Sequence, residues 1–410
     1  MTAFDFSTLL ADNLPPAGGR WTGFPEHNFV GGHNARDAIP VDALIEAVTK
    51  QLRERGQELA TYNLEGGPQG MMQLREFVAK KMTRDRGTPT DPDQVLITSG
   101  SLQGLDLVNG VLLNPGDTVI IEEHTYGGML GKVARTGAKI VGAPVDDDGI
   151  DVDALRGVLD RLKADGVTPK YIYTIPTVQN PTGSVMPLER RKALLALARE
   201  FGVPIFEDEC YADLVFEGAW PPALRGLDDS GMVIHIGSFS KSLAPAIRLG
   251  YMVVDWPLMS RMMPLKSDAG TGAVEQMMVA EYFGNHFDAH LEMLKPKLKR
   301  KLDVMIEAIE REFGTAAEFT RPKGGIFFWM RIPGVDTGKL NEAALKEDLH
   351  FNPGAGWSTS DANDRAKESL RLCFALATED EINAGVAKLA EICRAEFGIP
   401  SVSGNVQHGG

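Results

Sequence analysis

Four short stretches carry the side chains that could do chemistry. In SFSKSLAPAIRLGY, Ser238–Tyr251, Lys241 sits among hydroxyls and small apolar residues just after the apolar run Met232–Ile236, and Arg248 follows. A lysine normally marks a solvated face. One desolvated at the end of a strand has a lowered pKa and can act as a nucleophile toward carbonyls. IFEDECYADL closes another apolar run with Glu207, Asp208 and Glu209, then Tyr211. A carboxylate buried there requires a cationic partner, whereas a solvated acidic loop requires nothing. ITSGSLQG puts Gly100 and Ser101 between a strand and a helix, where backbone N–H groups and a hydroxyl form a ready phosphate site. The same pattern also serves simply as a turn, and its spacing is neither GxGxxG nor a Walker A loop, so it gives no support to nucleotide binding. PTVQNPTG is a further turn, in which Asn180 before a proline suits a structural role as well as a functional one.

These stretches lie at the ends of predicted strands. The residues VDALIEAVTKQLRER, 41–55, form an amphipathic helix with apolar Val41, Leu44, Ile45, Val48 and Leu52. From about residue 70, helical stretches alternate with short apolar runs (QVLITSG, DTVIIEE, KIVGAPV, KYIYTIP, VPIFED, MVIHIGS), which specifies an α/β domain with a mostly parallel sheet. In such sheets ligands bind beyond the carboxyl ends of the strands. After residue 285 comes a long helix with Pro296 inside the pattern, where a kink or break is expected. GGIFFWMRIP and SLRLCFA follow as strands between shorter helices, as suits a second, α+β domain. The expected organisation is an irregular arm over 1–40 packing on the small domain, a large domain over 41–290, a small domain over 291–400 and a loose tail over 401–410.

Taken together, Lys241, Asp208, the Ser101 turn and Arg248 describe a site for a phosphorylated aromatic aldehyde with a basic ring nitrogen, which is pyridoxal phosphate. That cofactor needs an amine for its imine, a carboxylate at its pyridine nitrogen, and N–H and cationic donors at its phosphate.

The chain resembles the fold-type I, class I/II aminotransferases, and in particular the branch of 2-aminoadipate and kynurenine aminotransferases, over roughly residues 25–395. The resemblance rests on NPTG at 180–183, DECY at 208–211 and SFSKSLAPAIRLGY. It implies a three-layer α/β/α domain with a smaller α+β domain, pyridoxal 5′-phosphate as cofactor, and a homodimer with shared active sites. By the same resemblance, Lys241 is the Schiff-base lysine and the base at the substrate α-carbon, and Asp208 pairs with the pyridinium nitrogen. Asn180 and Tyr211 bond the phenolate oxygen. Ser101, the Leu102 N–H, Ser238, Ser240 and Arg248 hold the phosphate, and Tyr126 stacks on the ring. Tyr62 reaches the phosphate of the neighbouring subunit. Arg371 forks onto the substrate α-carboxylate, Gly32 and His33 belong to a substrate loop, and Phe327 lines a side-chain pocket that favours an apolar or aromatic donor. The chain departs from the family pattern at Leu102, His33 and His124, and at His350, Asn352 and Trp357 in the loop 350–357, which leaves the substrate open rather than the cofactor.

A net charge of −14 argues against nucleic acid or an anionic membrane as the main partner. Three cysteines without metal spacing, no long apolar run and no basic leader point to the cytoplasm, with no metal. The expected reaction is ping-pong transfer of an amino group from an L-amino acid to a 2-oxo acid, with 2-oxoglutarate and pyruvate as the candidate acceptors. A C–S β-lyase, racemase, decarboxylase or oxidase starts from the same cofactor, and the outcome depends on which bond at Cα lies perpendicular to its ring. A ligand-sensing regulator on this fold is disfavoured by the acidic chain and by the fewer than 45 residues before the first helix.

Overall fold

The apolar runs of the central region pair into one seven-stranded sheet. Its strands are β1 (Val95–Thr98), β2 (Thr118–Glu122), β3 (Lys139–Ala143), β4 (Ile172–Thr174), β5 (Ile205–Asp208), β6 (Val233–Ser238) and β7 (Gly250–Val253). They lie in the order β1-β7-β6-β5-β4-β2-β3. Only β7 runs antiparallel to its neighbours, so the other six end at the same edge. In all but β3 every residue is buried, as expected for strands covered by helices on both faces. The molecule is described here as a computed structural model over residues 4–11, 14–15, 17–218, 221–359 and 364–400. The tail 401–410 lies outside the described residues.

A second, antiparallel sheet joins β8 (Phe327–Arg331), β9 (Asn352–Pro353) and β10 (Ser369–Cys373) in the order β8-β10-β9. Its core packs Phe328, Leu370, Leu372 and Phe374 with Phe29 of the N-terminal arm. The arm is tied there by parallel pairing of His27–Asn28 with Leu349–His350. The fold is thus α/β with a mostly parallel sheet, together with a smaller α+β unit.

Helix Ala273–Phe313 spans 41 residues and continues across Pro296, so of the expected kink or break the break does not occur. Proline removes one N–H donor, but Leu291, Leu294, Leu298 and Leu302 on either side are all buried, and tertiary packing of this kind outweighs a single lost bond. Helix Val41–Arg55 forms as predicted, but its apolar stripe is covered only in part, through half-buried Leu44 and Val48. Ala47 and Gln51 face inward, whereas Val41, Ile45 and Leu52 are exposed. Among the described residues no helix is long and apolar enough to cross a membrane, and no His/Cys/Asp/Glu group is arranged to hold a metal ion.

Candidate active site

The shared edge of the large sheet opens into a cavity of about 420 Å³. The turn after β1 supplies Ser101 and Leu102 to its lining, β5 supplies Asp208 with Cys210 and Tyr211, and β6 supplies Ser238, Ser240 and Lys241, with Arg248 beyond. Lys241 Nζ donates to the Gly32 carbonyl at 2.6 Å. Burial, reinforced by Arg371 and Arg248, pulls its pKa down to about 8, so a useful fraction of the amine is uncharged near neutrality. The segment is held from the arm: buried Asn34 donates to the carbonyls of Lys241 and Leu243 at 3.1 and 3.0 Å.

Opposite the lysine stands Arg371, on β10 and 2% exposed. Its guanidinium lies 3.5 Å from the Trp357 ring centroid and 3.8 Å from that of Phe327, so both faces are covered by aromatic rings. It donates to Asn180 Oδ1 (3.1 Å), the Gly31 carbonyl (3.0 Å) and Asn352 Oδ1 (2.7 Å), while its Nε has no partner. All three acceptors are neutral. Among the described residues no carboxylate pairs with it, and burial lowers its pKa to about 10. A cation desolvated without a counter-ion is suited to receive an anion from outside the chain.

Asp208 is likewise buried without a lysine or arginine partner among the described residues. It accepts from Tyr173 Oη at 2.7 Å and from the Cys210 N–H at 3.1 Å. Burial raises its pKa, partly offset by those donors. Asn180 Nδ2 donates to Tyr211 Oη at 3.2 Å, so Asn180 bridges Tyr211 and Arg371. At the other end of the cavity, Arg248 adopts φ +57°, an uncommon backbone for a non-glycine residue, and lies against Gly100. Gly100 has φ +78°, and a Cβ there would collide with the Arg248 guanidinium. Ser240 N donates to Ser238 Oγ at 3.1 Å. Helix Ser101–Leu112 starts at this point, with first-turn N–H groups that have no intrahelical acceptor.

Several residues singled out from sequence lie off the cavity lining. Tyr62 is 84% exposed. His33 is packed on Phe24 at 5.4 Å between centroids, and its pKa is lowered by burial and by Lys241 and Arg36. His124 packs at a tilt on Trp329, 5.5 Å between centroids, and His350 is taken up in pairing with the arm. Conversely, the direct grip of Asn352 and Trp357 on Arg371, the Tyr173 bond to Asp208 and the role of Asn34 have no local sequence signal beyond a polar or aromatic residue near a strand end.

A family model for aminotransferase class I and II matches residues 33–389. The chain belongs to this family. It is 35% identical to a 2-aminoadipate transaminase of Thermus thermophilus over 368 residues, 88% of each chain. Among solved structures, it is similar to the Thermus thermophilus α-aminoadipate aminotransferase complexed with N-(5′-phosphopyridoxyl)-L-leucine, with TM-score 0.83 and 33% identity over 90% of this chain and 92% of that one. It also matches a multiple substrate aminotransferase from Thermococcus profundus, with TM-score 0.88 and 30% identity over 96% of this chain and 100% of that one. The protein is therefore an aminotransferase, and its family implies pyridoxal phosphate. The residues present fit that group: an amine of lowered pKa, a buried carboxylate with no cation of its own, and an arginine against a glycine at a helix N-terminus face one cavity.

Proposed function

We propose that this aminotransferase moves the amino group of an L-amino acid to a 2-oxo acid, 2-oxoglutarate or pyruvate, in two half-reactions at one site. When bound, pyridoxal phosphate supplies the carbonyl that accepts the amine and the ring that withdraws electrons from Cα. Ser101, the Leu102 N–H, Ser238, Ser240 and Arg248 would hold its phosphate, and Asp208 would keep its ring nitrogen protonated. Tyr126 would stack on the ring, and Asn180 and Tyr211 would donate to the phenolate oxygen. Arg371 binds the substrate α-carboxylate through its planar fork. Lys241 Nζ takes a proton from Cα of the amino donor and passes it on within the first half-reaction, and in the second it delivers one to Cα of the new amino acid, tasks that its lowered pKa suits.

The observation that carries the proposal is Arg371, a buried guanidinium without a carboxylate partner among the described residues, facing the same cavity as Lys241. Phe327, Trp357 and Tyr126 line that cavity and favour an apolar or aromatic donor side chain. The exposed Tyr62 and the unburied stripe Val41, Ile45 and Leu52 support a homodimer in which Tyr62 reaches the partner's cavity. The three buried free thiols are compatible with the cytoplasm. The deciding experiment is a screen of amino donors against 2-oxoglutarate and pyruvate. Product formation that requires the acceptor supports transamination, whereas ammonia and pyruvate released without one would establish lyase chemistry instead.

A further inference from the structure

Asn180 meets the cavity residues Tyr211 and Arg371 from a turn that is anchored elsewhere. Gln179, beside it and 2% exposed, spends its whole hydrogen-bonding capacity. Its Nε2 donates to Glu122 Oε2 (2.9 Å) and to the His124 carbonyl (2.6 Å). Its Oε1 accepts from the Thr182 N–H (2.8 Å) and Thr182 Oγ1 (2.9 Å). Its backbone pairs with Ser184 O and Gly183 N across the same turn. With acceptors on one side and an N–H on the other, the amide has one orientation only.

Glu122 is fully buried at the end of β2. Its Oε1 accepts from Thr174 Oγ1 (2.6 Å) and the Ile175 N–H (3.1 Å), both at the end of β4. No lysine or arginine pairs with it among the described residues. Burial pushes its carboxyl up to about 7, against the pull of these donors. A buried carboxylate without a counter-ion is costly, and what its two oxygens join here is β4 and the Gln179 turn.

The residue before Gln179 is strained. Val178 has φ +55°, a genuine outlier for a β-branched side chain, and is buried against Gly324 and Gly325. Such a conformation persists only where its surroundings over-determine it. The segment that anchors the turn holds the opposite wall too: Thr125 N donates to Trp357 O (3.0 Å) and Thr359 N to Glu123 O (2.8 Å). Residues 122–126 thus join the Asn180 turn, Tyr126 and the Trp357 segment that covers Arg371.

We propose that Glu122 and Gln179 are positioning residues, which hold the strained turn so that the Asn180 amide spans Tyr211 and Arg371 at bonding distance from both. The proposal rests on the assignment of Asn180 to the cofactor oxygen and the substrate-binding arginine given above.

The test uses cofactor-loaded protein and two readouts: the pH midpoint of the bound cofactor's absorbance change and the KM for the 2-oxo acid. Asn180→Ala is expected to move the midpoint upward by about half to one pH unit, the effect of one lost bond to an anionic oxygen. Gln179→Met keeps the size of the side chain and removes its four bonds. It should shift the midpoint in the same direction, and the double variant should shift little more than Asn180→Ala alone. Glu122→Gln turns an amide toward the Gln179 amide and should act alike. Leu389→Ala, in the core of the small domain, lowers Tm without moving the midpoint. The inference is overturned if Gln179→Met and Glu122→Gln lower Tm but leave the midpoint in place, or if the double variant adds in full. If Asn180→Ala itself leaves the midpoint unmoved, the assignment of Asn180 to the cofactor fails. KM then decides the inference: Gln179→Met raising it as much as Asn180→Ala supports the positioning role, and an unchanged KM refutes it.

Discussion

Replacing Lys241 by methionine should stabilise the cofactor-free protein at neutral pH. In the fold, burial takes the lysine from its ordinary value of 10.5 to about 8. A fall of about 2.5 units at about 1.4 kcal/mol each is about 3 kcal/mol. The shift lies below the unfolded value, so the folded state binds this proton less tightly. Below pH 8 both states are charged and the fold bears the full penalty. Between pH 8 and 10.5 the unfolded state holds more protons and stability rises with pH, until above 10.5 the penalty has gone. Methionine removes the penalty but leaves the Gly32 carbonyl without its donor, a loss of about 1 kcal/mol. The variant should therefore be more stable than its parent by about 2 kcal/mol at pH 7. That advantage should shrink through pH 8–10 and reverse slightly above. Urea unfolding of both proteins without cofactor, at a series of pH values, measures the difference. Equal stability at pH 7, or a gain that does not change with pH, would refute a charge penalty stored at Lys241.

Arg371→Lys loses the planar fork and the stacking between Trp357 and Phe327, and KM for both amino and 2-oxo acid should rise about a hundredfold in steady-state assays. An unchanged KM would remove Arg371 from carboxylate binding. Gly100→Ala meets the Arg248 guanidinium at a backbone of φ +78°, so cofactor affinity, followed by absorbance titration, should fall at least about tenfold. Mixing Lys241→Ala with Tyr62→Ala subunits should restore activity absent from either alone, because one site of the mixed dimer keeps both side chains. Failure of refolded mixtures to regain activity would argue that Tyr62 does not act across the dimer.

Much of the Lys241 end of the cavity was legible because its geometry is local. Ser238, Lys241 and Arg248 lie within eleven residues of chain, at a strand end whose apolar run is visible in the sequence. The Ser101 turn and the DECY stretch are equally local: a strand, then a glycine or carboxylate, then a helix or a tight bend. The Arg371 end was legible only in part. Arg371 could be named, but its partners Gly31 and Asn180 lie 340 and 191 residues away in the chain. Asn34 reaches the lysine segment across 207 residues. The predicted break at Pro296 fails for a related reason, since a local propensity is outweighed by the burial of Leu294 and Leu298.

The sequence by itself determined that strands alternate with helices, that reactive side chains fall at strand ends, and that one of them is an amine among small neighbours. Backbone alternation and strand termination depend on residues two to four apart, and those spacings survive in one dimension. Only the tertiary structure decided that burial pulls the Lys241 pKa down to about 8, that no carboxylate among the described residues pairs with Arg371, and that Glu122 and Gln179 grip the Asn180 turn. Desolvation and long-range hydrogen bonding depend on which distant segments close over a group, and no spacing along the chain encodes that distance.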